Sequence, residues 1–154
     1  MAEALTGGCQ CGAVRYRITG QVGNASICHC RMCQKAHGAP IVGWMNVPDG
    51  QLEWTRGEPA TFRSSSKAVR RFCAACGTPL AIRDDEETAT DVATATLDKP
   101  ERMPPLRQYG VEGKVSWFDT AHALPGQETE EITHSFQHPD FDTAQWPIST
   151  EPVR

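Results

Sequence analysis

The chain has 154 residues and a mass of 16.9 kDa, the size of one ordinary domain that can bury a core without disulfides. Fifteen Lys and Arg against nineteen Asp and Glu give a net charge of −4, which argues against nucleic-acid binding because that function needs a basic face. The mean hydropathy is −0.45, and the longest mostly apolar stretch, 39–47, is broken by proline, glycine and asparagine. No membrane span or secretory signal is predicted, and we expect a cytoplasmic protein.

Short strands dominate the predictions for the first half of the chain. Val14, Tyr16 and Ile18 alternate with polar residues, which is the two-residue period of a half-buried strand. We expect one helical turn or a loop over 31–38, ending at Gly38. Further strands, separated by turn residues, are predicted over 26–30, 40–47, 51–55, 60–64 and 68–73.

The second half continues with weaker strand patterns. The segment 78–83 leads into an acidic turn at 84–87, strands are predicted over 88–96, 106–109 and 114–118, and 97–105 is a proline-rich connection. From residue 127 the composition becomes polar, with isolated aromatic residues and prolines. The sequence therefore predicts one mainly β domain over 1–126 and an extended or partly disordered arm over 127–154.

Seven cysteines are the most informative feature of the sequence. Their density is too low for a disulfide scaffold and their number is odd, so reduced thiols with metal-binding or catalytic roles are favoured. They form three tight groups, all in the first half of the chain: Cys9 and Cys11; Cys28, Cys30 and Cys33; and Cys73 and Cys76.

Two zinc sites account for all seven cysteines. A structural zinc takes four ligands, whereas a catalytic zinc keeps three protein ligands and an open position. In an extended CxC both side chains face the same side, and CxxC brings two sulfurs together through a tight loop. The favoured partition is a closed site of Cys9, Cys11, Cys73 and Cys76, which stabilises the fold, and an open site of Cys28, Cys30 and Cys33.

Other pairings stay open at this point. Cys30xxCys33 and Cys73xxCys76 could be the knuckles of a zinc ribbon, although the 39-residue gap between them is long for that motif. Disulfides are a further alternative. The three-cysteine site could also be a second structural site, completed by a histidine, a carboxylate or another chain.

Histidines could complete or assist the three-cysteine site. His29 lies between two cysteines, but strand alternation points its ring away from a metal held by its neighbours. His37 could reach the site as a general acid or base. The other three, His122, His134 and His138, are expected to be solvated loop residues.

Three motifs resemble those of the glutathione-dependent formaldehyde-activating enzyme family: GGCQCGAVRY at 7–16, CHCRMCQKAHGAP at 28–40 and FCAACGTPL at 72–80. TATLDKPE at 94–101 and VSWFDTAHALP at 115–125 resemble its weaker downstream signatures. The resemblance implies a fold of several coiled antiparallel sheets stapled by zinc, shared with a small zinc-binding Rab-exchange factor and methionine-R-sulfoxide reductases.

The same resemblance implies a function and assigns the cysteines. The CxC near the N-terminus and the late CxxC would hold a structural Zn²⁺, and the CxCxxC triplet would hold a labile catalytic Zn²⁺. The implied enzyme is a carbon–sulfur lyase that reversibly adds a thiol, glutathione or similar, to a small aldehyde such as formaldehyde. Cys28, Cys30 and Cys33 would then be catalytic, with a small-molecule thiol and an aldehyde as partners and neither nucleic acid nor a membrane involved.

Glutathione carries two carboxylates, so its site should offer cations. Arg31 and Lys35 flank the triplet and are predicted to bind the glutathione carboxylates. Arg70 and Arg71 precede Cys73, cannot both face one side of a strand, and could equally be solvated surface charges. Trp44 and Trp54 could wall a pocket or belong to the core.

Two competing functions are a non-catalytic zinc module that binds a thiol or a protein partner, and methionine sulfoxide reduction by a metal-free cysteine.

Overall fold

The computed structural model describes residues 3–129 and 135–143, and these fold mainly as β-structure. Its strands are β1 (Leu5–Gly8), β2 (Arg15–Ile18), β3 (Ala25–Cys28), β4 (Val42–Pro48), β5 (Leu52–Arg56), β6 (Ala60–Arg63), β7 (Ala68–Phe72), β8 (Pro79–Asp84), β9 (Ala89–Ala93) and β10 (Pro105–Tyr109). One α-helix, α1 (Arg31–His37), follows β3, and short 3₁₀ helices cover Thr94–Thr96, Pro100–Arg102, Val111–Gly113 and Phe118–Ala123.

The strands form two sheets. A three-stranded sheet has the order β1-β2-β5, and a seven-stranded sheet has the order β10-β3-β4-β9-β8-β7-β6. Neighbouring strands are antiparallel except for β10, which pairs in parallel with β3. The predicted mainly β fold is confirmed, with this one parallel pair as a departure from the antiparallel expectation. Among residues 3–129 and 135–143, no helix is both long and apolar enough to cross a membrane.

Two differences from the predicted elements have physical reasons. The strand predicted over 114–118 is wrong, because the chain there turns through hydrogen bonds such as Phe118 N to Val115 O (3.1 Å). The strand β1 was not predicted because its sequence, LTGG, has little β propensity. Its glycine Gly7 is required by close packing, since a Cβ there would collide with the ring of Tyr16.

Part of the predicted C-terminal arm lies against the domain. Residues 127–129 and 135–143 have no regular secondary structure, while 130–134 and 144–154, including His134, lie outside the described residues. His122 is exposed, as expected, but the prediction of a solvated His138 is wrong. The His138 ring is buried against Gly12, and its backbone N–H donates to Gln10 O (2.7 Å).

The hydrophobic core lies between the two sheets. The three-stranded sheet contributes Leu5, Tyr16 and Ile18, and the seven-stranded sheet contributes residues such as Met45 and Val92. Because these side chains alternate along each strand with residues on the other face, the core occupies one face of the larger sheet. The opposite face of the larger sheet carries a smaller buried cluster that includes Trp44 and Cys33.

A buried ion pair joins the smaller sheet to the segment that follows Thr94–Thr96. Arg15 donates two hydrogen bonds to Asp98, Nη1 to Oδ1 (2.8 Å) and Nη2 to Oδ2 (2.6 Å). Thr6 Oγ1 donates to the same carboxylate (2.6 Å). Burial opposes the charged form of Asp98, but the Arg15 guanidinium and the Thr6 hydroxyl hold its pKa below the ordinary value.

The Asp98→Asn variant should be destabilised by about 3 kcal/mol, because it leaves the buried Arg15 charge with only the more distant, exposed carboxylate of Asp142 (Nε to Oδ1, 3.7 Å). Denaturant unfolding of the purified protein measures this change. Since the folded-state pKa of Asp98 lies below its unfolded value of about 3.9, the pair contributes fully at neutral pH. Its contribution should be lost as the pH falls below about 4, and the free energy of unfolding of Asp98→Asn should not show this part of the acid-dependent decrease.

Asp85→Asn is the matched control, because Asp85 forms a similar two-pronged pair with Arg63 on the exposed surface. It should leave stability nearly unchanged. An equal effect of both substitutions would contradict the special role of the buried pair.

Candidate metal centres and the adjoining groove

Four cysteines from two distant turns meet beside the core. Cys9 and Cys11 lie in the turn between β1 and β2, and Cys73 and Cys76 lie in the turn between β7 and β8. Their four sulfurs lie within 4.8 Å of one another, with Cys9 Sγ 3.6 Å from Cys11 Sγ and Cys11 Sγ 3.9 Å from Cys73 Sγ. Sulfurs that share a tetrahedral zinc lie roughly 3.8 Å apart, given Zn–S bonds of about 2.3 Å. This four-cysteine group therefore fits a metal ion.

The two turns supply hydrogen bonds to two of the four sulfurs. The backbone N–H of Val14 donates to Cys9 Sγ (3.2 Å), and the Thr78 hydroxyl lies 3.1 Å from Cys76 Sγ. Burial opposes the ionisation of Cys76, yet its hydrogen bonds lower the pKa of this thiol to about 6. Burial raises the pKa of Cys9. A cation would have to displace protons from the remaining thiols, as metal binding to cysteines generally does.

A second group brings together Cys28, Cys30 and Cys33, whose sulfurs also lie within 4.8 Å of one another. Cys28 ends β3, Cys30 caps the N-terminus of α1, and Cys33 is buried in its first turn. Burial raises the pKa of Cys28 to about 12. Burial also opposes ionisation of Cys30, but hydrogen bonds from the Cys33 backbone N–H and the neighbouring thiols lower its pKa. No fourth His, Cys, Asp or Glu of the described residues joins this three-cysteine group.

The grouping separates the alternatives that the sequence left open. Cys30 and Cys33 do not cluster with Cys73 and Cys76, so the structure does not form the zinc-ribbon pairing. All seven cysteines are free thiols, so the disulfide alternative is not formed either. The CxC segments bring their sulfurs together through turns and a helix cap, and not through the extended strands that their spacing predicted.

Gln34 fastens the helix that carries Cys33. Its buried side-chain amide donates to the carbonyl oxygens of His29 (2.9 Å), Pro40 (3.2 Å) and Gly113 (3.0 Å). The loop from Gly110 to Gly113 packs directly on the three-cysteine backbone, and a Cβ at Gly110, which has φ +62°, would lie 2.7 Å from Cys30 N. This close approach requires glycine and fixes the backbone of the group.

Neither nearby histidine is a ligand in this arrangement. His29 is buried and points away from the sulfurs, with Nε2 2.8 Å from Gln108 Oε1 and its ring edge-to-face with Phe118. His37 packs edge-to-face against Trp44, with ring centroids 5.1 Å apart. Burial and the nearby Arg70 charge lower the pKa of His37 to about 4, so its imidazole is neutral at physiological pH.

A groove of about 560 Å³ opens on the three-cysteine group, on the face of the larger sheet opposite the core. Directly paired residues on neighbouring strands share a face, and the register carries one row of side chains across the sheet. In order, this row contains Ser26, Trp44, Asn46, Asp91, Ile82 and Arg70. All but Arg70 line the groove, together with Cys28, Cys33, Asn24, Arg107 and Tyr109.

The predicted cationic residues divide between different surfaces. Arg31 and Lys35 lie exposed on α1, outside the groove lining, and Arg31 Nη1 donates to Gln34 Oε1 (3.3 Å). Their part in thiol binding stays a prediction. Arg70 is not a solvated charge but is buried, with Nη2 3.4 Å from Cys33 Sγ, whereas Arg71 lies on the opposite face of β7 near Arg83.

The two tryptophans have different roles. Trp44 is buried and walls the groove, whereas Trp54 packs edge-to-face against Tyr16 in the core, with centroids 5.9 Å apart. Sequence reasoning missed the two charged residues of the groove lining, Asp91 and Arg107. Both lie on predicted strands, but their position on the groove face depends on pairing with strands distant in sequence.

Comparison with known proteins adds the family. The sequence model of the glutathione-dependent formaldehyde-activating enzyme family matches residues 4–112. A search among curated proteins finds no significant match. A crystal structure of a Rhodobacter sphaeroides protein, a target of the Northeast Structural Genomics programme, is similar with a TM-score of 0.55 and 22% sequence identity. The match covers 67% of this chain and 98% of that chain, and at this identity it supports the fold alone.

The family match spans more than half of the chain and includes every cysteine of the two groups. The chain therefore belongs to the glutathione-dependent formaldehyde-activating enzyme family.

Proposed function

We propose that this protein is a carbon–sulfur lyase that reversibly joins a small-molecule thiol, glutathione or a similar compound, to a small aldehyde such as formaldehyde. The observation that carries the proposal is the difference between the two cysteine groups. Four sulfurs complete one group beside the core, whereas the other has three sulfurs and borders a groove large enough for a small ligand. Cys28, Cys30 and Cys33 are the proposed catalytic group.

The four-cysteine group is the proposed structural zinc site. Its ligands come from the turn after β1 and the turn after β7, which belong to different sheets. A tie at this point stabilises the packing of the two sheets over their shared core. Four thiolates fill the tetrahedral coordination of a zinc ion and leave no open position, so no reaction is assigned to this site.

Zinc bound by the three-cysteine group would supply an open coordination position that favours a thiolate ligand and polarises a carbonyl. The protein's part is to hold the three sulfurs in place, through the Cys30 helix cap and the Gln34 hydrogen bonds. Trp44 limits the groove on one side and would exclude water from that side of the reacting groups. Positioning and a larger fraction of thiolate would then accelerate a reaction that thiols and aldehydes also undergo unaided.

The polar groups of the groove match the ends of glutathione. Asp91 and Asn46 are hydrogen-bonded to each other (3.0 Å) and could receive the ammonium group of the γ-glutamyl residue. Arg107, from the parallel strand β10, offers a guanidinium for a carboxylate. We assign recognition of the ammonium and carboxylate groups of glutathione to these groove residues, alongside the predicted contribution of Arg31 and Lys35 on α1.

The competing functions have less support from the site. Methionine sulfoxide reduction needs a redox-active cysteine free of metal, but all seven cysteines lie in the two groups that could hold metal ions. A non-catalytic zinc module would bind a thiol without turnover, which the exchange experiment below separates from catalysis. Seven free thiols also support our proposal of a reducing compartment, the cytoplasm.

Cys30→Ser should abolish activity while the protein stays folded, because it removes one ligand from the three-cysteine group. Cys73→Ser should unfold the domain, since structural zinc contributes roughly 10 to 16 kcal/mol in small zinc modules. Circular dichroism, thermal unfolding and zinc analysis measure both effects. Equal loss of structure in the two variants would contradict the division into catalytic and structural sites.

Exchange spectroscopy by NMR tests the reaction itself. In an equilibrium mixture of glutathione, formaldehyde and their adduct, the zinc-loaded protein should accelerate exchange between free and bound formaldehyde. The Cys30→Ser variant supplies the control and should leave the spontaneous rate unchanged. Exchange at the spontaneous rate with both proteins would refute lyase activity on this substrate pair and favour the binding module.

Arg107→Gln should raise the KM for glutathione roughly fivefold, the upper range for an exposed ion pair of ~1 kcal/mol, and leave kcat near its native value. The KM for an uncharged thiol such as 2-mercaptoethanol should not change. Lys35→Gln is the matched comparison on α1. A rise in the KM for glutathione with Lys35→Gln alone would place carboxylate recognition on the helix and contradict the assignment to Arg107.

A further inference from the structure

The guanidinium of Arg70 is buried beneath the three-cysteine group with few partners. The residue is 7% exposed, and its Nη2 donates to Cys33 Sγ at 3.4 Å. Its Nε and Nη1 are buried and have no hydrogen-bond partner among the described residues. A buried guanidinium stays charged, so its environment must supply a compensating negative charge or carry a large energetic penalty.

No carboxylate in the described part of the chain supplies that negative charge. Within the described parts of the chain, Arg70 takes part in no ion pair with Asp or Glu. Its neighbour His37 is neutral and cannot compensate a cation. The remaining candidate for the compensating negative charge is the three-cysteine group, whose Cys33 sulfur contacts Arg70. Three thiolates around a divalent ion carry a net charge of −1, which one guanidinium neutralises.

The other cysteine group has a different environment. The contacts of its sulfurs are backbone N–H groups, the Thr78 hydroxyl and one another, without a cationic side chain among the described residues. A cation at hydrogen-bond distance is therefore specific to the three-cysteine group. The sheet register places Arg70 on the face of the three-cysteine group, because Arg70 pairs with Ile82, which lines the groove.

We propose that Arg70 is a positioning residue that holds Cys33 and balances the negative charge of the metal-loaded three-cysteine group, so that it sets how tightly this group retains its metal. The inference rests on the metal-binding part of the proposed function and is independent of the reaction. Partners that orient and polarise metal ligands typically change metal affinity by about 10- to 100-fold when they are removed.

The test is zinc affinity, measured by competition with a chromophoric chelator on the full chain. Arg70→Met and Arg70→Gln both remove the charge, so if one variant fails to fold, the other can still be measured. Zinc retained at the four-cysteine group reports that a variant is folded. Cys30→Ser identifies which of the two zinc ions belongs to the three-cysteine group.

We expect the zinc of the three-cysteine group to bind about 10- to 100-fold more weakly in Arg70→Met and Arg70→Gln, with the other zinc unchanged. Arg70→Lys keeps the charge but not the planar fork, and its affinity should lie between these variants and the native protein. Arg71→Gln is the matched control on the opposite face of β7 and should bind zinc as the native protein does.

Native affinity in a folded Arg70→Met or Arg70→Gln variant would overturn the inference, as would an equal loss in Arg71→Gln. An Arg70→Lys affinity no better than that of Arg70→Met would contradict a role for the charge. If the native protein bound a single zinc, the metal assignment of the proposed function would fail, which is distinguishable from failure of Arg70 alone.

Discussion

The fold depends on the meeting of two turns at the four-cysteine group. One turn connects β1 and β2 of the smaller sheet, and the other connects β7 and β8 of the larger sheet. Cys9 and Cys73 are buried there as part of the core, and Gln10 N donates to the Thr78 hydroxyl across the junction (3.1 Å). Residues more than 60 positions apart are thereby fixed at one point, which determines how the two sheets pack.

The position of this junction also affects the second cysteine group. Strand β7 ends at Phe72, one residue before Cys73, so fixing Cys73 limits where the side chains of β7 can lie. From that strand the pairing continues through β8 and β9 to β4 and β3. The junction thus helps to place Arg70 beside Cys33, on the groove face of the larger sheet.

Two buried arginines show how differently the protein compensates charge. Arg15 meets the carboxylate of Asp98 with two short hydrogen bonds and supports the packing of the smaller sheet. Among residues 3–129 and 135–143, the Arg70 guanidinium has one side-chain hydrogen-bond partner, a sulfur of the three-cysteine group. One arginine therefore contributes to stability whether or not metal is bound, whereas we infer that the other acts on the metal affinity of the three-cysteine group.

The sequence by itself determined the features that depend on local pattern. Alternation of apolar and polar residues predicted most of the strands, and the spacing of the cysteines with the demand for four or three ligands favoured the two groups that the side chains form. Gly38 ends α1 in the left-handed conformation, at the residue where the sequence predicted a stop. The tertiary structure alone decided the parallel pairing of β10, the burial of His138 and the contact of Arg70 with Cys33. These features depend on strand register and on contacts between distant segments, and no local period of the sequence encodes them.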